Sequence, residues 1–175
     1  MKFFSDIRLL LLAIWIGAAV FFIAVAQSAF AVLPSRELAG NVVNRTLAIL
    51  NYSGVAISII LLLTSMVATA RVNKLWLWVE RLLLILLTAA CAVGQFVIGF
   101  WLSSIRAQFG KPVDEVAVDD PLRIQFNSLH EYSVWVLFAG MIAAAIAFFI
   151  IANRRYAATK TADPGVYDFQ KEFKI

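Results

Sequence analysis

The chain has 175 residues, 62% of them hydrophobic and 15% charged, with one Cys, one His and a formal net charge of +4. A soluble domain carries about 45–50% apolar and about 25% charged residues, so water is not the main solvent of this chain. Disordered chains, disulfide scaffolds and ordinary soluble enzymes are excluded, because one Cys and one His leave almost nothing to cross-link or coordinate with.

Four stretches carry no charge: residues 9–35, 46–70, 82–105 and 132–153. At about 1.5 Å per residue, about 20 apolar residues cross a hydrocarbon core of about 30 Å, so each stretch is long enough to span. Buried helices of a soluble protein would carry charges along a solvent-facing stripe, and none is present. The pattern predicts an all-α integral membrane protein, a four-helix transmembrane bundle over residues 1–156 followed by a cytoplasmic tail, 157–175.

The first helix resembles a signal peptide at Lys2, Arg8 and the A-x-A pattern Ala29-Phe30-Ala31, but the run Leu9 to Ala26 exceeds the roughly 7–15 residues of a signal core and predicts a retained helix. Pro34 stops it, and Ser35 caps a second helix whose Leu38, Val42, Val43, Leu47 and Leu50 recur at helical spacing. A short connection around Arg71 to Leu75 makes helices two and three a tight antiparallel pair. The loop 103–120 holds Asp114, Glu115, Asp119 and Asp120 without the spacing of a calcium loop, and reads as a solvated loop. Asp120-Pro121 starts the fourth helix about ten residues before its apolar span, with an acid cap and a proline at the first helical position. Helices two and four therefore extend beyond the bilayer on the outer side.

Small residues recur four apart at Ala13 and Gly17, at Ala90 and Gly94, and at Ala139, Ala143 and Ala147, with Gly140 and Ala144 beside the last set. Such seams let helix backbones approach closely, within the bundle or across a homodimer contact. Cys91 lies mid-span and reads as a small hydrophobe.

With four spans, ten basic residues fall on the side of both termini and five on the other, which predicts N-in/C-in orientation by the positive-inside rule. The localisation implied is a bacterial inner membrane with both termini cytoplasmic. The positive net charge reflects that orientation, and nucleic-acid binding is not invoked. Trp76 and Trp78 fit an inner interfacial belt, and Trp101, Tyr132 and Trp135 an outer one.

The polar membrane residues concentrate towards the outer leaflet. Gln27, Arg45, Asn51, Gln95, Asn127, His130, Glu131 and Ser133 come from four helices and make a candidate polar cluster. Arg123, Asn127, His130 and Glu131 share a helix face that should look into the bundle, with Arg45 or Arg123 as the counter-charge of Glu131. Converging polar groups form either a closed hydrogen-bond network or an open pocket, and both remain open at this point.

The string Phe126-Asn-Ser-Leu-His130-Glu-Tyr-Ser133 opens the last helix and resembles the F-x-x-L-H-x-x-S stretch of the transmembrane-protein-205-like proteins, domain of unknown function 4149. The resemblance covers roughly residues 5–155; Leu137 stands where that family often has Asn. It implies the four-span fold and singles out His130 and Ser133, but no reaction.

No nucleophile stands beside a base, and no Cys/His cluster is present, so the chain reads as non-catalytic. The leading expectation is an accessory or scaffolding subunit, its partners the lipid bilayer and a larger membrane complex. A redox subunit, with His130 contacting haem or quinone, is the alternative; otherwise no cofactor is expected. A small transporter with an outer polar site ranks third, because the inner halves of the helices offer few polar groups.

Overall fold

A computed structural model of the protein describes residues 2–67 and 74–153. Among them run helices α1 (Lys2–Val32), α2 (Arg36–Val67), α3 (Lys74–Ala92), α4 (Gly99–Phe109) and α5 (Pro121–Ala152). A π-helical turn, Val93–Ile98, joins α3 to α4, and a 3-10 turn, Val113–Glu115, lies in the connection to α5. Because α3, the π turn and α4 are continuous, four helical segments are long and apolar enough to cross a membrane: Phe4–Val32, Arg36–Met66, Lys74–Phe109 and Pro121–Ala152. The connection around Arg71 and the tail, 157–175, lie outside the described residues.

Local chemistry places the boundaries. Ser35 Oγ accepts from the Leu38 N–H at 3.2 Å and starts α2, and Asp120 Oδ1 accepts from Leu122 N–H at 2.8 Å to start α5 with Pro121 in its first turn. These side chains supply acceptors for amide groups that have no partner within the helix. The third segment departs from expectation: it stays helical to Phe109, where the loop was expected from residue 103. Gly110, with φ of 61°, ends it in the left-handed region that costs glycine nothing. Helices two, three and four thus all extend past their apolar stretches at this end.

The segments pack in the cyclic order α1, α2, α3, α5. Arg8 near the start of α1 meets Leu61 near the end of α2 and Glu80 near the start of α3, so α2 runs antiparallel to both α1 and α3. The bundle therefore has a terminal end, where α1 begins, and a loop end, which carries residues 33–35 and 110–120.

A core of Leu12, Trp15, Phe22, Leu50, Leu61, Leu84, Leu87 and Ile151 runs up the middle. Side chains on the outer faces, such as Phe21, Leu63, Trp76, Trp78, Trp101, Tyr132 and Trp135, are exposed, as suits a chain whose solvent is hydrocarbon. On α5 the small-residue seam holds at Gly140, Ala143, Ala144 and Ala147, which are buried, but not at Ala139, which is exposed; a Cβ on Gly140 would sit 3.3 Å from that of Ala90. It fails on α1: Ala13 and Gly17 face outward, because Leu12, Trp15, Ala19 and Phe22 take the interior face.

Candidate functional site

At the terminal end an ion pair is sealed inside the bundle. The Arg8 guanidinium donates to Glu80 Oε1 and to the Leu61 carbonyl, the latter at 3.0 Å; Arg8 is 5% exposed and Glu80 0%. Beside it Arg81 donates to Ser65 Oγ at 3.0 Å and to the Ser65 carbonyl at 2.9 Å. Three helices are tied together here. Charges taken out of water in such a place are tolerable only when paired and hydrogen-bonded.

Further along the bundle the polar contacts are sparse and closed. Thr88 Oγ1 donates to Ser58 Oγ at 2.8 Å, and Trp15 Nε1 donates to the Leu50 carbonyl at 3.1 Å. Gly54 makes room for that indole, since a Cβ there would lie 2.7 Å from Trp15 Nε1 and 2.5 Å from Cys91 Sγ. Asn51, Cys91, Gly94 and Ser133 border a void of about 10 Å³, at the lower limit for one water.

The loop end is different. Here the π turn and α4 pack on α5 through Ile98, Ile105 and Leu129, while α1 and α2 stand off and leave a cavity of about 420 Å³. Its walls are mainly apolar, with Phe22, Ile23, Leu47, Leu102, Leu137 and Phe138 among them. The polar groups on the walls are Gln27, Asn44, Ser103, Arg106, His130 and Ser133. A second hollow of about 270 Å³ adjoins it on the side of residues 110–120, and the two share Phe30, Arg106, Phe126 and His130. This vestibule carries the charges: Arg36, Glu37, Asn41, Lys111, Asp114, Arg123 and Asn127 line it beside apolar Phe109, Pro112 and Val113.

Arg106 lies where the two hollows meet. Its guanidinium carbon sits 5.4 Å from the centroid of the Phe126 ring, and Nη1 reaches Asn41 Oδ1 at 3.5 Å. A Cβ on Gly40 would be 2.8 Å from Nη2, so the bare backbone of α2 forms the seat for this side chain. Arg106 falls inside the expected loop 103–120, where a charge carries no signal of a site. The missed signals were Gly110 and Pro112, which mark a later helix end.

The predicted cluster divides in three. Gln27, His130 and Ser133 line the large cavity, Asn127 and His130 line the vestibule, and Asn51 is buried beside the small void. Arg45, Gln95 and Glu131 line none of these spaces; Arg45 and Glu131 are exposed. The expected Glu131 pair is not formed. Arg123 donates instead to the Val116 carbonyl, and the ion pairs among the described residues are Arg8–Glu80 and Arg36–Asp114. Arg123, Asn127 and His130 turn one face towards the vestibule, and Glu131, one residue on, is rotated by about 100° to the outside.

The sequence profile of a family described as Domain of unknown function (DUF4149) matches residues 10–111. No curated protein and no solved structure matches the chain. The match covers the first three spans and stops short of Phe126–Ser133, and it names domain 4149, not the transmembrane-protein-205-like proteins. Since it takes in more than half of the chain, this four-helix membrane-type protein belongs to the DUF4149 family.

Proposed function

We propose that this protein binds a lipid-like small molecule between its helices at the loop end. The observation that carries the reading is the cavity of about 420 Å³ walled by all four spans, apolar over most of its surface and polar where it meets the vestibule. Small-molecule sites of about 300–1,000 Å³ have this character, with an apolar body and a few placed polar groups. Polar residues that served only to fix helix register would close on one another; Gln27, Asn44 and His130 are exposed to the cavity.

Of the uses open to the sequence, an accessory subunit in a larger membrane assembly remains compatible with a bound amphiphile at the contact. A quinone, itself an amphiphile, falls within the class, whereas a haem would take from this chain one axial histidine, His130. The orientation with both termini in the cytoplasm of a bacterial inner membrane rests on the basic-residue asymmetry.

The test fills the cavity. Val134 on α5 and Ser103 on α4 line it from two sides and belong to neither core cluster. Val134→Trp and Ser103→Trp should each leave the unfolding temperature within a few degrees while reducing binding of dodecanol in phosphatidylcholine nanodiscs by about tenfold or more, the scale of a lost apolar contact set. Equal binding by wild type and both variants would refute the reading.

A further inference from the structure

The vestibule is unequally charged. Arg36, Arg106, Lys111 and Arg123 line it against Glu37 and Asp114, an excess of two positive charges. Arg36 and Asp114 face each other at 3.5 Å with both side chains well exposed, and Arg123 is engaged by the Val116 carbonyl. Arg106 is the cation that reaches both hollows. It is half-buried, its hydrogen-bond acceptor is the neutral amide of Asn41 at the long distance of 3.5 Å, and Glu37 acts on it electrostatically without forming an ion pair. A guanidinium placed over an aromatic ring and beside a bare glycine backbone loses little further freedom on binding, and its planar fork suits two oxygens at once.

We propose that the occupant is an anionic amphiphile, with a phosphate or carboxylate head on Arg106 and its hydrocarbon chain in the apolar cavity. This rests on the reading of the cavity as an amphiphile site and adds the charge of the head group and the residue that selects it. The geometry separates the two tasks. Phe22, Leu102, Leu137 and Phe138 offer the chain an apolar wall that cannot tell one head group from another. Arg106, at the junction, meets the first polar atoms of a molecule inserted chain-first. Gly40 is a positioning residue, because any side chain there displaces Nη2.

The experiment compares dodecyl phosphate, dodecanoate, dodecanol and dodecyltrimethylammonium on the full chain in phosphatidylcholine nanodiscs, with binding taken as the excess over the Val134→Trp variant so that partition into lipid cancels. The two anions should bind about tenfold or more tighter than dodecanol, the range of a charge-assisted hydrogen bond, and the trimethylammonium least. Arg106→Gln should erase that preference, weakening the two anions about tenfold while changing dodecanol, whose hydroxyl forms only a neutral contact there, by far less. Gly40→Ala should erase most of it while keeping the charge, a result that a purely electrostatic or purely structural role of Arg106 would not give. Arg36→Gln should change it by no more than about twofold, since an exposed paired charge is screened. Dodecanol binding as tightly as the anions, with both lost in Val134→Trp, would overturn the head-group assignment and leave the amphiphile site standing. No ligand distinguishing wild type from Val134→Trp would overturn both. Inorganic phosphate binding as tightly as dodecyl phosphate would also overturn the proposal, because the chain would then contribute nothing.

Discussion

The Arg8 and Glu80 side chains show how a charge that looks peripheral along the chain becomes central in space. Arg8 bounds one uncharged stretch and Glu80 stands one residue before Arg81, which bounds another, and counting from such stretches places both charges at the edge of the membrane; the bundle closes over both, so they become an interior pair. A contact between residues 72 apart leaves no trace in local spacing. Removing one partner of a buried pair costs about 3–5 kcal/mol, whereas replacing both by apolar side chains is often neutral. Glu80→Ala should therefore lower the unfolding free energy in detergent by about that amount, and Arg8→Met with Glu80→Met should recover most of it. Strictly additive losses in the double variant would show that the two are not coupled. The same reasoning explains Glu131. Helical spacing puts residues on a face, but the direction of that face depends on where neighbouring helices stand, and at the loop end they stand apart.

Helix boundaries were legible where their chemistry is local. Ser35 and Asp120 cap because their own oxygens accept from an amide two or three residues on, and both are readable in the chain. The end of α4 is also written there, as Gly110 and then Pro112, seven residues past the loop start expected at residue 103. The π turn had no such mark: its Gly99 N–H donates to the Gly94 carbonyl five residues back, and Gly94 lies against Asn51 of another helix, a contact set by packing. Gly110→Ala forces a side chain into the left-handed region and should destabilise by about 1 kcal/mol, with Gly110→Asn costing less, as read by thermal unfolding. No clash with neighbours confuses the result, since nothing lies within 4 Å of a Cβ there.

Over the whole molecule, apolar composition and charge-free lengths were enough to specify four spanning helices, because a bilayer demands about 20 apolar residues each time the chain crosses it. The cavity was not legible, for it arises from helices failing to meet. Orientation is a prediction on this scale. In a Cys91→Ala background, Val118→Cys should react with an impermeant thiol reagent in intact cells, and Asp6→Cys only after permeabilisation. Both positions are exposed, Val118 at 74%, whereas the neighbouring Val116 is buried and would give a false negative. Reaction at Asp6→Cys from outside would invert the assignment.

The bundle is tight from its terminal end to about Cys91 and open beyond, and the π turn lies at the change. Shortening that turn by one residue would restore unbroken α geometry and swing everything after it by about 100°, with a shift of about 1.5 Å along the axis. Arg106 would then point away from Gly40 and Phe126, and Ile105 away from Leu129. The extra residue acts as a phase setting: it lets one half of a single helix obey the packing of the closed core while the other half presents its side chains to an empty space. Chain length between Ala92 and Gly99 is thus fixed by what the far half must face, and insertions or deletions there are felt at Ile105 and Arg106, two turns further on.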